Sequence, residues 1–307
     1  MIFILTGLAV LFLVLWSVFS SGLVVHGERD PITVIPRTFG LPFTDEQFTS
    51  ADGVALAGWF VPAPKKTAAA GGRPGSSDGA DVTLVVCHGW GANRSDILER
   101  THFFNTEGGY NLFYFDFRNH GASGSGRSSL TKLEIGDLGA ALDHLRAAHP
   151  EASRRVALYG MSMGGSVCLW VAAHHPEIAA VAAESPFGLY GDVIVRYGRL
   201  FYHVPKYPFS LLTLWAVRWR LGFDPQAFSP LHAIGKISPR PVFLVQGGED
   251  ARMPPREGER LFTAAGEPKT LWTVPGADHG EAAEFGGGEY RQRLLAFYAG
   301  VFHRRPV

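Results

Sequence analysis

The stretch RVALYGMSMGG, residues 155–165, decides how the rest of the chain is read. Its first six residues are a short apolar run of the kind that forms a buried strand, and the residues from Ser162 to about His174 follow as a helix. At the junction stands Gly160-Met161-Ser162-Met163-Gly164, a G-x-S-x-G pattern. Alone, that pattern arises by chance in a glycine-rich chain; between a strand and a helix it marks a tight turn with the serine at its apex. Glycines flank the serine because larger side chains would collide there. The hydroxyl is thereby exposed, and the new helix aims its N-terminal dipole and free N–H groups at any negative charge developing beside it. The bland alternative is a loop serine that caps the following helix.

Outward from this turn, short apolar runs alternate with longer amphipathic ones. VTLVVC (82–87), YNLFYF (110–115), IAAVAAE (178–184), PVFLVQG (241–247) and TLWTVPG (270–276) read as strands, with helices near 95–107, 133–149, 162–174 and 289–302. Continuous β-rich runs separated by helices predict an α/β fold, a mostly parallel sheet covered on both faces. Two further strands, near 45–50 and 54–61, join through Asp52-Gly53 as a hairpin. Residues 62–81, PAPKKTAAAGGRPGSSDGAD, read as a mobile insertion within the domain, because the core pattern resumes directly after them. Between residues 186 and 232 the rhythm breaks, and 11 of those 47 residues are Phe, Tyr or Trp, among them Tyr197, Phe201, Tyr202, Trp215 and Trp219. This segment is expected to be a helical lid over the carboxyl ends of the strands, with most of its aromatics packing it onto the body and the others facing a ligand.

Composition narrows the function classes. The 307 residues are 46% hydrophobic and 18% charged, enough apolar material for a large core. Twenty-eight Lys and Arg balance 28 Asp and Glu, so no basic field exists to hold a nucleic-acid backbone. Two cysteines, Cys87 and Cys168, exclude a disulfide framework and a four-cysteine zinc site, and read as core fillers in a strand and a helix. No histidine pair has metal-ligand spacing with a third ligand, and GASGSG (121–126) lacks the Lys-Ser/Thr of a phosphate-binding loop; no metal or cofactor is expected.

Residues 1–25, MIFILTGLAVLFLVLWSVFSSGLVV, contain no Asp, Glu, Lys, Arg or His. As a helix they exceed the ~30 Å thickness of the hydrocarbon layer. They are expected to be an uncleaved transmembrane anchor, with Trp16 compatible with a place near one interface. The competing readings are a secretory signal, whose basic n-region is missing and whose cleavage site at Ser20-Ser21-Gly22 is poor, and a buried core helix. Arg29 and Arg37 come after the segment and no basic residue precedes it, which favours the cytoplasmic side for the domain beyond. The organisation expected is thus an anchor at 1–25, a linker at 26–44 and one domain at 45–307 carrying the insertion and the lid.

A serine nucleophile needs a base, and the base an orienting acid. Asp250 follows PVFLVQGG and His279 follows TLWTVPGAD, each just past a strand end, in the order Ser, Asp, His. Met163, next after the serine, supplies one oxyanion N–H. The second is expected from the loop after strand 82–87, His88-Gly89-Trp90-Gly91, at the N–H of Trp90. Glu249 adjoins Asp250 and Glu184 ends a strand, so both are alternative acids; Asp278 reads as a turn cap, and His279 could itself be an ordinary turn histidine. His88 is expected to brace the oxyanion loop, and Asp116, Arg118 and His120 to stabilise the loop after strand 110–115.

On HGWG (88–91), DFRNHGASG (116–124), GMSMGG (160–165), GGED (247–250) and GADHG (276–280), the chain from about Asp45 onward resembles the α/β-hydrolase superfamily. It most resembles its serine hydrolases, the esterases, lipases and S33 peptidases, with a lid after the sixth strand. The resemblance implies an eight-stranded sheet and Ser162, Asp250 and His279 as nucleophile, acid and base. The long insertion at 62–81 departs from the pattern. Serine rather than aspartate at 162 counts against the branches that attack through a carboxylate, the haloalkane dehalogenases and epoxide hydrolases.

The function expected is a membrane-anchored serine hydrolase acting on carboxylic esters or related acyl compounds, with a lipid-like acyl substrate suggested by lid and anchor. A peptidase or acyltransferase on the same triad is the nearest alternative. A catalytically silent scaffold used for binding is the alternative of another class.

Overall fold

The apolar runs of the sequence form eight strands in the computed structural model, which describes residues 2–26, 29–64 and 80–302. They are β1 (Thr44–Thr49), β2 (Ala55–Val61), β3 (Val82–Cys87), β4 (Asn111–Phe115), β5 (Arg155–Met161), β6 (Ile178–Glu184), β7 (Val242–Gly247) and β8 (Lys269–Val274). They make one sheet in the order β1-β2-β4-β3-β5-β6-β7-β8. The β1–β2 and β2–β4 pairs are antiparallel and all others parallel. Burial explains why the central strands read as unbroken apolar runs: every residue of β3, β4 and β7 is buried, whereas edge strand β1 alternates between half-buried and exposed.

Helices cover both faces. On one lie α4 (Lys132–Ala148), α5 (Met163–His174) and α8 (Pro255–Ala264), through Leu138, Leu142, Val167 and Leu261. On the other lie α2 (Arg94–Thr101), α3 (Phe103–Thr106) and α9 (Ala282–Phe302), through Leu98, Phe104, Leu294 and Tyr298. Two elements depart from the sequence-based expectation. The helix expected over 95–107 is two, parted at His102 between α2 and α3. The closing helix starts at Ala282 rather than Glu289 and kinks at Gly287, whose φ of 49° only glycine adopts without strain. Of the insertion expected at 62–81, residues 65–79 lie outside the described residues.

The chain passes from β3 to β4 on one side and then returns to β5 on the other, so β3 is where the strand order reverses. Open parallel sheets bind ligands at the carboxyl ends of the strands around such a point. Above it, between β6 and β7, stand α6 (Tyr190–Tyr202), α7 (Leu211–Leu221) and three 3-10 turns, where a lid was expected. Of its aromatics, Phe187, Tyr190, Tyr197, Phe209, Phe223 and Phe228 are buried or half-buried, whereas Phe201, Tyr202, Tyr207, Trp215 and Trp219 are exposed, Trp219 at 75%.

The amino-terminal run is one helix, α1 (Ile2–His26), long and apolar enough to cross a membrane. Only Ser17, Ser20, Ser21 and Val25 of its 25 residues are buried, so it is no core helix. Its first half is exposed, with Phe12 edge-on to Phe209 of the lid; its second half rests on the lid and ends against the body, where the Ser128 N–H donates to the Val25 carbonyl at 2.8 Å.

Candidate active site

Ser162 occupies the turn between β5 and α5 with φ 53° and ψ −116°, a backbone conformation that a side chain strains. The glycines around it are explained by distance. A Cβ on Gly160 would lie 2.5 Å from Gly164, and one on Gly164 would lie 2.4 Å from the Cys87 carbonyl oxygen and 2.5 Å from that of His88. The turn is therefore pressed against the end of β3 and cannot be built with larger residues. The Ser162 N–H donates to the Glu184 carbonyl at 2.8 Å, which ties the turn to β6.

His279 and Asp250 stand on the loops after β8 and β7. The Ser162 Oγ lies 3.0 Å from His279 Nε2, and His279 Nδ1 lies 2.8 Å from Asp250 Oδ2. The pattern is satisfied when Nδ1 carries the proton and donates to Asp250, which leaves Nε2 as an acceptor for the serine hydroxyl. Asp250 is fixed in turn: its side chain is fully buried, and its Oδ1 accepts the Met253 N–H at 2.6 Å. Asp278 joins the two loops, its Oδ1 accepting the N–H groups of both Ala251 and His279. Such a hydroxyl can pass its proton to the imidazole as it attacks an electrophile.

Trp90 and Met163 lie beside the serine. A Cβ on Gly89 would come within 3.4 Å of the Ser162 Cβ, so the 88–91 loop runs directly alongside the turn. Met163 is the first residue of α5, and neither its N–H nor that of Trp90 donates to a protein acceptor among the described residues. The loop is held from behind. The His88 Nδ1–H donates to the Gly89 carbonyl at 2.7 Å, and its Nε2 accepts the Phe117 N–H at 3.0 Å. His120 Nε2 accepts the Gly91 N–H at 3.2 Å. Both rings use one nitrogen as an acceptor and so are neutral, and burial pushes both below the ordinary histidine range.

The DFRNHGASG stretch is a buttress of these loops. Asp116 accepts the Arg94 and Ala122 N–H groups, and a Cβ on Gly121 would lie 2.2 Å from its carboxylate. Arg118 forks onto both Asp137 and Asp52. A cavity of about 450 Å³ opens over Ser162, with Trp90, Met163, Phe187, Ile194 and Tyr197 on its walls. Residues of α1 complete it.

Comparison with known proteins agrees with this architecture. The family model described as serine aminopeptidase, S33, matches residues 78–219. The Pyrococcus furiosus esterase Pf2001 superposes with a TM-score of 0.71 at 25% identity, over 90% of this chain and 99% of that one. This chain has the α/β-hydrolase fold. The uncharacterized protein YfhR of Escherichia coli is 27% identical over 254 residues, 82% of this chain and 78% of YfhR. An acylaminoacyl peptidase of Pyrococcus horikoshii shares the fold, with a TM-score of 0.65 at 13% identity over 90% of this chain and 45% of that one.

Within this fold the two rival acids face elsewhere. Glu184 lies under the sheet rim with its carboxylate accepting the hydroxyls of Tyr159 at 2.7 Å and Tyr290 at 2.6 Å, and Glu249 is exposed. The sequence reading missed that tyrosine pair, which comes from β5 and α9. It also missed Arg100, which donates from α2 to the Gly280 carbonyl beside His279, and Gln246, which reaches from β7 to the Met253 carbonyl and to Asp250. Each contact joins chemically ordinary residues that only the fold brings together, and no local motif announces them.

Proposed function

We propose that this chain is a serine hydrolase that cleaves carboxylic esters or related acyl compounds through an acyl-enzyme. The observation that carries the reading is the unbroken relay from the Ser162 hydroxyl through the His279 ring to Asp250, at 3.0 and 2.8 Å. His279 takes the serine proton as Oγ attacks the substrate carbonyl. The oxyanion is received by the N–H groups of Trp90 and Met163, both free to donate. Asp250 holds the imidazole in the tautomer that accepts at Nε2 and stabilises the imidazolium that forms. His279 then protonates the leaving group, and a water activated by the same ring releases the acyl chain.

An aminopeptidase reading, suggested by the matched family, is less well supported by the cavity. Holding the free ammonium of a peptide calls for a carboxylate, and no Asp or Glu lines the cavity over Ser162 among the described residues. An ester or neutral acyl compound fits those walls. We further propose that α1 is a transmembrane anchor, with Arg29 and Arg37 placing the hydrolase domain on the cytoplasmic side.

The test is labelling of the full chain with a fluorophosphonate and turnover of p-nitrophenyl acetate. Wild type is expected to label and turn over; Ser162→Ala is expected to lose the label and at least ~10³-fold in kcat/KM. Turnover by Ser162→Ala near that of wild type would overturn the assignment. Faster cleavage of an aminoacyl p-nitroanilide than of the ester would favour the peptidase.

A further inference from the structure

Beyond Trp90 and Met163 of the body, the cavity over Ser162 takes walls from two further elements. The lid contributes Val193, Ile194 and Tyr197, whereas Trp16, Leu23 and Val24 come from α1, more than 130 residues away in the chain from the nucleophile. The helix that would anchor the protein is thus also part of the space next to its reactive serine.

The seam between α1 and the lid is extensive. Trp16 packs edge-on against Tyr202 and Phe209 with centroids 5.6 Å apart in both cases, Phe12 meets Phe209, and Phe19 meets Tyr202. Ser20 and Thr213 share a hydrogen bond of 2.8 Å, and Arg220 donates to the Val18 carbonyl. These contacts fix the depth of the lid. Spanning ~30 Å of hydrocarbon takes about 20 helical residues. A window of that length starting at residue 2 ends at 21, and one ending at 26 starts at 7, so every placement of α1 across a bilayer keeps residues 7–21 inside it. Phe12, Trp16, Phe19 and Ser20 are all in that range. The lid residues packed on them, Tyr202, Phe209 and Thr213, are then below the headgroups as well.

The outer surface of the lid suits that position. Beside α1 it exposes Phe201, Tyr207, Leu211, Trp215 and Trp219, interspersed with the exposed cations Arg199, Lys206 and Arg218. Aromatic and aliphatic side chains among basic ones are the composition of an element lying in a membrane interface, where long cationic side chains reach back to the headgroups. In water the same side chains would be an apolar patch with no cover.

We propose that α1 and the α6–α7 lid form one membrane-seated unit, and that the substrate is a bilayer-resident ester whose acyl chain reaches Ser162 sideways, along the α1 wall of the cavity. This rests on Ser162 being an acyl-transferring nucleophile. The chemistry is unchanged: the ester bond breaks, the acyl group passes to Ser162 Oγ and then to water, and the polar alcohol portion leaves toward the headgroups.

The test uses the full chain in nanodiscs of palmitoyl-oleoyl phosphatidylcholine, with p-nitrophenyl acetate and p-nitrophenyl laurate as substrates. Leu23→Trp, which fills the α1 wall, is expected to lower the laurate-to-acetate ratio of kcat/KM at least tenfold, and Leu23→Ala to shift the preferred acyl chain to greater length. A ratio and a preferred length that stay at wild-type values in both variants overturn the α1 wall; if Leu23→Trp does not fold, Leu23→Ala alone decides. For the lid, Trp215→Asp with Trp219→Asp is expected to lower hydrolysis of nanodisc-borne laurate at least fivefold relative to acetate supplied from solution. An equal effect on both substrates, or none, overturns the seating of the lid. Failure of the nucleophile assignment is distinguishable, because wild type would then neither take up the fluorophosphonate nor hydrolyse acetate.

Discussion

Ser162 holds its hydroxyl out of the sheet at the cost of its own backbone. A side chain at φ 53° and ψ −116° is strained by about 1–3 kcal/mol, while glycine enters that region freely. Ser162→Gly is therefore expected to be inactive yet more stable than Ser162→Ala by about 1 kcal/mol, because both lose the hydroxyl and only glycine relieves the strain. Urea unfolding of the two variants measures the difference; equal midpoints would mean that the turn is not strained. Gly164 presents the opposite case. Its added methyl would meet two carbonyl oxygens at the end of β3 at 2.4 and 2.5 Å, backbone atoms that cannot rotate away. Gly164→Ala is expected to destabilise the protein by roughly 2–3 kcal/mol and to move the Trp90 loop away from Ser162. Its signature is a lowered unfolding midpoint together with a kcat reduced at unchanged expression.

At the scale of elements, the loops at the carboxyl ends of β3 and β4 form one support, and its two buried histidines make it sensitive to acid. His88 and His120 are neutral in the folded chain and held below their ordinary value by burial, whereas an unfolded histidine titrates near 6.5. Below about pH 6.5 the unfolded chain binds the protons that the folded chain refuses. Their stabilisation is thus complete above that pH and lost as the pH falls, by up to about 1.4 kcal/mol per unit for each ring. Asp137, whose carboxyl burial pushes up to about 6 against the pull of Arg118, acts in the opposite sense. The contribution of His120 is therefore read as a difference: between pH 7 and pH 5, stability from urea unfolding is expected to fall less steeply in His120→Asn than in wild type. Parallel pH curves would show that His120 takes up protons equally in the folded and unfolded chains. The support also shows what a sequence can disclose. The strands were legible because a strand buried on both faces is apolar nearly throughout, as VTLVVC and VFLVQG are apart from Thr83 and Gln246, and the turn at Ser162 because a reversal that tight calls for glycine on either side, at 160 and 164. The positions of Asp250 and His279 were legible from the strand ends that precede them. Nothing local marked the break at His102, the tyrosine hydroxyls on Glu184 or the reach of Arg100 to Gly280, since each depends on partners whose distance in space bears no relation to their distance in sequence.

For the molecule as a whole, the same limit applies to the lid and α1. Eleven aromatics in 47 residues signal an apolar segment, but their number does not say which of them face outward, and no residue pattern signals that α1 folds back onto that segment rather than standing apart. The two halves of α1 are joined to the body differently: residues 2–15 are largely exposed, with Phe12 against Phe209, whereas Trp16 to Val25 cover the lid, and Val25 enters the main core with Val24 packed against it. The sheet and its helices thus owe little to α1, while the lid owes it the cover of Tyr202, Phe209 and Thr213. A chain lacking residues 2–22 is expected to keep the sheet, with far-UV circular dichroism equal to that of the full chain after allowance for one helix. Its lid, however, would add those uncovered side chains to the already exposed Trp215 and Trp219, enlarging a continuous apolar surface of the kind that drives association. In detergent-free buffer the shortened chain is accordingly expected to elute from size exclusion as an oligomer, and with a non-ionic detergent above its critical micelle concentration as a single chain. Monomeric behaviour without detergent would show that the lid closes over its own apolar face once α1 is gone, and that the two elements do not share one surface.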